Sequence, residues 1–244
     1  MNDVRAIGGR SSGRNLTFGM LDALGRAIVT GRFRNRPFPT EAELAKSYGV
    51  SRSVTREATK MLAAKGLVSA RPRQGTSVRP SAHWNLFDTD VLRWLLERQF
   101  SLDLLLQFTQ LRIAIEPEAA ALAARFSGED DRAEIAAGLA RMRAAESDAN
   151  DTLDADIAFH VAVLNASKNP FYAQFRDVVA TALAKSIRFT NNIRGHSASI
   201  PEHAAVLDAI AARDPERARE AMRRLIVNVL TLIEGAEPDG TGQL

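Results

Sequence analysis

The sequence contains no cysteine, only four histidines and no long apolar segment. The absence of cysteine excludes disulfide bonds, thiolate nucleophiles and cysteine-based zinc sites, which leaves histidine and carboxylate side chains as metal ligands. No stretch approaches the roughly 20 consecutive apolar residues that cross a bilayer, and the N-terminal segment lacks the apolar core of a secretion signal. We therefore expect a cytoplasmic protein with no membrane partner.

Length and charge predict two domains with different tasks. A chain of 244 residues is longer than a single core usually requires. Residues 1–80 carry 15 Lys and Arg against 5 Asp and Glu, a net charge of +10, whereas residues 81–244 carry 17 against 24, a net charge of −7. The first part is therefore suited to a polyanion. A basic disordered arm is the alternative, but the periodic apolar residues of this segment disfavour it.

Two capping patterns in the basic part predict a helix-turn-helix. Thr40 followed by Glu43 is a capping box that starts a short helix. Gly49 permits a tight turn, and Ser51 caps a second helix that runs to about Lys65. Two helices joined by a turn that contains glycine form the helix-turn-helix motif, whose second helix reads the major groove of DNA.

Two short β segments after these helices, Leu67–Arg71 and Thr76–Arg79, predict a wing. Arginines at its tip are suited to the DNA backbone or minor groove, although solvated turn residues are the plain alternative. Hydroxyl and cationic side chains on the outer face of the second helix are suited to base edges and phosphates. The predicted DNA-binding residues are Thr40, Glu41, Ser51, Arg52, Ser53, Thr55, Arg56, Lys60, Arg71, Arg73, Gln74, Gly75 and Thr76.

From Trp84 onward the apolar period is helical, with short breaks at Gly, Pro and Asn. The fold class is therefore mainly α: a winged helix-turn-helix followed by an all-α antiparallel bundle. The bundle helices are predicted at Asp88–Gln99, Leu102–Arg125, Asp130–Ser147, Thr152–Ala166, Pro170–Asn192, Ser199–Ala212 and Pro215–Gly235. The predicted domains are a flexible lead-in (1–15), the winged helix-turn-helix (16–80), a linker (81–86), the helical effector-binding and dimerisation domain (87–235) and a flexible tail (236–244).

The segment from Phe38 to Val78 resembles the DNA-binding domain of the GntR superfamily. The motifs that carry the resemblance are Pro39-Thr40-Glu41-x-Glu43-Leu44-Ala45, Gly49-Val50-Ser51-Arg52, Arg56-Glu57-Ala58, Lys65-Gly66-Leu67-Val68 and Gly75-Thr76. Val54, Thr55 and Thr59 depart from the usual Pro, Val and Leu of the second helix, which leaves the individual base contacts open.

The helical part resembles the FCD domain of the FadR subfamily. An Arg112-x-x-x-Glu116 pair and an Asp156-x-x-Phe159-His160 motif carry this resemblance. The segment Trp84–Trp94 is similar to that of members which respond to sugar acids such as galactonate. The resemblance implies a homodimeric repressor of a sugar-acid or other organic-acid catabolic operon, released from a palindromic DNA operator by a small carboxylate effector.

Asp156 and His160 lie four residues apart, on one face of a helix, and His203 can supply a third ligand. Three such groups suit Zn²⁺, Mn²⁺ or Ni²⁺. In the resembled FCD domains a further histidine stands at the position of Leu225, so the resemblance implies an incomplete site here. A surface pair on an amphipathic helix is the alternative for Asp156 and His160.

The predicted effector site rests on polar residues within apolar helical runs. A buried guanidinium at Arg112 needs an anion, which a ligand carboxylate would supply, although Glu116 one turn later is the alternative partner. Asn228 would bind the ligand or form an interhelical hydrogen bond. The complete effector set is Arg112, Asp156, His160, Arg188, Asn192, His203 and Asn228.

Two rival functions remain open from the sequence. The first is a metal-dependent hydrolase or lyase that uses the Asp/His cluster, although no HExxH spacing accompanies it. The second is an architectural DNA-binding protein with no operator preference and no ligand site. The leading expectation is a regulator and not an enzyme.

Overall fold

The computed structural model describes residues 13–34, 36–71, 75–98, 102–145, 149–184 and 199–235. The chain divides into two compact units, Met1–Gln99 and Phe100–Leu244. The predicted lead-in lies outside the described residues up to residue 12, and the predicted tail lies outside them entirely.

The first unit contains the predicted helix-turn-helix and wing. Its elements are α1 (Gly13–Val29), α2 (Glu41–Tyr48), α3 (Arg52–Ala64), β1 (Val68–Arg71), β2 (Gly75–Val78), a 3₁₀ turn (Ser81–His83) and α4 (Thr89–Arg98). The two strands pair antiparallel, with Val68 opposite Val78 and Arg71 opposite Gly75. The core between α1, α2, α3 and the hairpin is apolar, and Leu24 and Leu62 are almost fully buried in it.

The predicted caps form as expected. The backbone amide of Glu43 donates to the Thr40 hydroxyl, and the Thr40 amide donates to Oε2 of Glu43 at 2.8 Å, so the capping box is complete. Gly49 ends α2 at φ 64°, a left-handed conformation that glycine adopts without strain. The Ser51 hydroxyl accepts from the amide of Val54 and begins α3.

Helix α4 packs against α1 and belongs to the first unit, whereas the sequence placed the linker at residues 81–86 and the helical domain from residue 87 onward. Trp94 is 1% exposed, and its indole Nε1 donates to Oδ1 of Asp22 at 2.8 Å. The same carboxylate accepts from Arg26 and Arg93 at 2.8 and 2.9 Å. The apolar period of α4 looks the same whichever unit it covers, so the sequence pattern alone could not assign the helix.

A second contact fixes the start of α4. The ammonium group of Lys65, at the end of α3, lies 2.8 Å from carboxylate oxygens of Asp88 and Asp90. Burial would lower the pKa of Lys65, but the two carboxylates outweigh burial and raise it. The cation is therefore retained, and it ties the end of α3 to the segment that was predicted to belong to the next domain.

The second unit is entirely helical in its described parts. Its elements are α5 (Leu102–Phe126), α6 (Glu129–Ala144), α7 (Ala149–Ala166), α8 (Pro170–Gln174), α9 (176–184), α10 (Ile200–Ala211) and α11 (Pro215–Glu234). The predicted continuous helix from Pro170 is interrupted at Phe175, and its last part, 185–192, lies outside the described residues. Within the described ranges, no helix combines the length and apolar character needed to span a membrane.

Small side chains allow the bundle helices to approach closely around α7. Ala120, Ala123 and Ala124 of α5 are fully buried in the core. A Cβ at Gly138 of α6 would lie 3.1–3.3 Å from backbone and Cβ atoms of Phe159, so the two helices pack almost backbone to backbone there. Phe159 is fully buried, and this packing places the next residue, His160, deep within the unit.

We predict that Gly25→Ala destabilises the first unit. A Cβ at Gly25 would lie 2.3 Å from two ring carbons of Trp94, so the indole would have to move. Overpacking costs about 1–3 kcal/mol, while the gain in helix propensity is about 1 kcal/mol. The expected net loss, up to about 2 kcal/mol, is measured by urea unfolding with tryptophan fluorescence.

Trp94→Phe supplies the control for this experiment, because the smaller ring leaves room for the alanine methyl group. The double variant should then lose less stability than the sum of the two single variants. Simple additivity would contradict a direct contact between residues 25 and 94.

Candidate functional site

Helix α3 presents a polar face to solvent from the first unit. Ala58 and Leu62 face the core and are fully buried, whereas Arg52, Ser53 and Arg56 are exposed, as is Lys60 one turn further on. Arg56 lies 3.5 Å from Glu41 of α2, and both side chains remain more than a third exposed. An exposed ion pair of this length contributes little to stability, so the arginine can exchange its carboxylate for a phosphate at small cost.

The structure contradicts Thr55 as a DNA-binding residue. Its side chain is fully buried, and its hydroxyl donates to the carbonyl of Ser51 at 3.2 Å. Thr59 follows the same pattern, donating to the carbonyl of Thr55 at 2.9 Å. Two of the three departures from the family pattern, Thr55 and Thr59, therefore lie on the core side of α3, where the helix backbone satisfies their hydroxyl groups.

The remaining predicted DNA-binding residues divide between capping and exposed positions. Thr40 and Ser51 are exposed, but both side chains are engaged in caps, and the Ser51 hydroxyl also lies 2.8 Å from that of Ser53. On the hairpin, Arg71 and Gly75 are exposed and Thr76 is partly buried. The predicted Arg73 and Gln74 at the wing tip lie outside the described residues.

A buried ion pair occupies α5 of the second unit. Arg112 and Glu116 are 2% and 1% exposed, and Nε of Arg112 donates to Oε1 of Glu116 at 2.6 Å. Burial would raise the pKa of Glu116, but the charge of Arg112, with a smaller contribution from His160, lowers it to about 2. The anion that a buried Arg112 requires is thus supplied by Glu116, the alternative partner identified in the sequence.

Asp156, His160 and His203 meet in one buried cluster, as the sequence predicted. The Nε2 atoms of His160 and His203 lie 3.3 and 3.4 Å from the same Asp156 oxygen, Oδ1. All three residues are at most 5% exposed. The cluster combines two side chains of α7 with one of α10, which excludes the alternative of a solvent-exposed pair.

Among the described residues, two atoms of this cluster find no hydrogen-bond partner: Oδ1 of Asp156 and Nε2 of His203. The other ring nitrogen of His203, Nδ1, lies 2.8 Å from the carbonyl oxygen of Ser199 and must donate to it, because a carbonyl only accepts. In a neutral His203 the free Nε2 is therefore an acceptor, and it faces a carboxylate. Buried acceptors that converge in this way are suited to a cation, and one ligand atom from each of the three residues lies within 4.8 Å of the others.

The electrostatics of the cluster point in the same direction. Burial would raise the pKa of Asp156, but contacts with His160 and His203 lower it well below its usual range. Burial would lower the pKa of His160, but the charge of Glu116 and the contacts with Asp156 and Glu116 together outweigh burial and raise it. The cavity therefore favours positive charge between these atoms, whether a proton or a metal ion supplies it.

The other predicted ligand-binding positions are more dispersed. Leu225 is 3% exposed and packs in the apolar core, so that position supplies no polar ligand atom. Asn228 of α11 donates through Nδ2 to Oε1 of Glu202 on α10, which is the interhelical alternative considered from the sequence. Arg188 and Asn192 lie outside the described residues.

One contact of the site was missed from the sequence. Nδ1 of His160 lies 2.5 Å from Oε2 of Glu116. The spacing of Arg112 and Glu116 indicated their mutual pairing, but no local pattern connects Glu116 with a histidine 44 residues later.

Comparison with known proteins agrees with both halves of this description. Residues 20–78 match the gntR family of bacterial regulatory proteins, and residues 107–228 match the FCD domain. The chain is 33% identical over 219 residues to the galactonate operon transcriptional repressor of Escherichia coli, covering 88% of this chain and 95% of the relative. It is 31% identical over 198 residues to the HTH-type transcriptional regulator LutR of Bacillus subtilis, covering 79% and 89%.

A solved structure supports the fold independently. The structure of Lar, which controls expression of the Listeria monocytogenes agr system, superposes with a TM-score of 0.61 at 20% identity, covering 94% of this chain and all of that chain. The fold and the sequence matches define a winged-helix transcriptional regulator with a helical FCD domain. The chain belongs to the GntR family, in its FadR-like, FCD-containing subfamily.

Proposed function

We propose that the protein is a cytoplasmic repressor that binds a palindromic DNA operator as a homodimer and releases it when a small carboxylate, of the sugar-acid class, binds in the FCD domain. The observation that carries the proposal is the presence of two separate sites in one chain. One is an exposed basic face on α3, and the other is a buried cluster whose acceptor atoms require a cation.

The proposed DNA-binding surface is supported by the exposure and charge of the side chains on α3. Arg52, Ser53, Arg56 and Lys60 share the solvent face of α3, and the cations among them are suited to guanine edges and phosphates. On the hairpin, Arg71 adds a further cation, and Gly75 and Thr76 are proposed contacts beside it. A twofold-symmetric dimer would present two such helices to the two halves of a palindrome.

The proposed metal site is supported by a count of the charges in the cluster. Arg112 and Glu116 neutralise each other, so the carboxylate of Asp156 leaves the cluster with a net charge of −1 when both imidazoles are neutral. We propose Asp156, His160 and His203 as ligands for Zn²⁺, Mn²⁺ or Ni²⁺, and zinc with three protein ligands retains an open coordination position. The bound ion would supply a Lewis acid for an effector oxygen.

The proposed effector class follows from the same count of charges. A divalent ion changes the net charge of the cluster from −1 to +1, which a carboxylate would neutralise. Glu116 already neutralises the charge of Arg112. We therefore keep Arg112 in the proposed effector site through its Nη2, which lies 3.3–3.4 Å from the ring nitrogens of His160. Asn228, Arg188 and Asn192 remain proposed effector residues. The galactonate relative supports a sugar acid as the effector class.

We predict that Arg56→Ala weakens operator binding and reduces its salt dependence. Loss of a phosphate contact lowers the slope of log K against log salt by about one, whereas loss of a base contact costs about 1–3 kcal/mol and relaxes specificity. Affinity is measured by fluorescence anisotropy at several salt concentrations, on an operator selected from random-sequence DNA. Arg143→Ala removes an equal, exposed charge from α6 and is the matched control. Equal effects of the two substitutions would contradict a specific role for α3.

We predict that Zn²⁺ raises the melting temperature of the wild-type chain and leaves that of Asp156→Asn unchanged. A ligand that binds only the folded state stabilises it, and the asparagine removes the one uncompensated negative charge of the cluster. Differential scanning fluorimetry against a metal titration measures both shifts, with Asp154→Asn on an exposed position of the same helix as control. A full shift in Asp156→Asn would place the metal elsewhere.

We predict that a sugar acid such as galactonate releases the metal-loaded wild-type protein from its operator, and that His160→Ala blunts the release while retaining DNA binding. His160 lies in the buried cluster and not in the first unit, so operator affinity without effector should remain within about threefold of wild type, about 0.7 kcal/mol. Normal release in His160→Ala would contradict the effector site.

Turnover of the acid would favour the enzyme alternative, and equal affinity for operator and random DNA would favour an architectural protein.

A further inference from the structure

The two histidines of the cluster are held by different kinds of partner. His203, on α10, is held through Nδ1 by the backbone carbonyl of Ser199, the residue that directly precedes this helix. His160 is held through Nδ1 by a charged side chain, Glu116, from another helix. A charged acceptor forms a stronger hydrogen bond than a neutral carbonyl does, and it makes the imidazole a better electron donor at its other nitrogen.

The geometry determines which nitrogen of His160 carries the proton. Oε2 of Glu116 lies 2.5 Å from Nδ1, and an ionised carboxylate only accepts hydrogen bonds. The hydrogen of a neutral His160 is therefore on Nδ1. Its lone pair is then on Nε2, which lies 3.3 Å both from Oδ1 of Asp156 and from Nη2 of Arg112.

Arg112 keeps Glu116 in the form that this arrangement needs. Its Nε donates to Oε1 of Glu116 at 2.6 Å, and its Nη2 lies 3.4 Å from Oε2. Both residues are at least 98% buried, so no water competes for the carboxylate. Because the pair is neutral overall, it can orient His160 without adding net charge to the cluster.

We infer that Glu116, braced by Arg112, is a positioning residue that fixes the Nδ1–H tautomer of His160 and so directs the Nε2 lone pair at the metal of the cluster. The inference rests on the proposed metal site and extends it to a residue that is not itself a ligand. Loss of such a partner typically lowers metal affinity by 10–100-fold.

The test compares full-length variants for Zn²⁺ affinity, by competition with a chromogenic chelator, and for histidine tautomers. The tautomers are read from long-range ¹H–¹⁵N spectra of the zinc-loaded protein, which contains only four histidines. In Glu116→Gln we expect zinc affinity to fall 10–100-fold and the His160 ring signals to change, while those of His203 do not. Glu118→Gln, two residues along α5 in a partly exposed ion pair with Arg219, should change neither.

A double variant separates positioning from charge. Glu116→Gln alone leaves Arg112 buried without its counterion, and this unpaired cation would itself repel a metal ion. Arg112→Met together with Glu116→Gln removes the unpaired cation, so the double variant should keep the loss of affinity if orientation is the cause. Recovery to within twofold of wild type would overturn the inference and assign the loss to electrostatic repulsion.

Two further outcomes are decisive. Unchanged zinc affinity in Glu116→Gln, with Nδ1–H retained on His160, would overturn the positioning role and leave the metal site intact. A wild-type chain that binds no Zn²⁺ would overturn the metal site itself, and with it the inference. Melting temperatures of all variants without metal establish that each one is folded.

Discussion

The second unit depends on one electrostatic constraint, the buried carboxylate of Asp156. A charged group removed from water must be compensated nearby, and here the atoms that approach Oδ1 are two imidazole nitrogens whose only compensating form is protonated or metal-bound. The close packing of α6 on α7 holds this arrangement, because glycine at 138 lets the backbone of Phe159 come within van der Waals contact. The packing of the bundle thus preserves a site that is electrostatically incomplete without a cation.

The two units use charged residues in opposite ways. In the first unit the Arg56–Glu41 pair is exposed and long, so it contributes little and exchanges readily for a phosphate. In the second unit the Arg112–Glu116 pair is short and buried, so breaking it would leave an uncompensated charge in a low-dielectric interior. Arg56, which is proposed to bind DNA, is therefore on the surface, whereas Arg112, which fixes the position of Glu116, is inside the bundle.

Local patterns predicted the parts of the fold that local interactions determine. The capping box at Thr40, the cap at Ser51 and the pairing face of Asp156 and His160 each depend on residues within four positions of one another, and all three are found in the structure. The inward orientation of Thr55, the packing of α4 and the contact between Glu116 and His160 depend on residues far apart in sequence. Periodicity shows that a helix has an apolar face but not which partner covers it.

The docking of α4 shortens the chain connection between the two proposed sites. The indole of Trp94 lies over Gly25, and Lys65 holds the start of α4, so the first unit extends to the end of that helix at Arg98. In the sequence, α5 begins four residues after Arg98, at Leu102, and Glu116 follows fourteen residues after Leu102, about 21 Å along the helix. Asp88 and Asp90, which the sequence assigned to the helical domain, therefore serve the winged-helix unit, because they compensate the charge of Lys65 there.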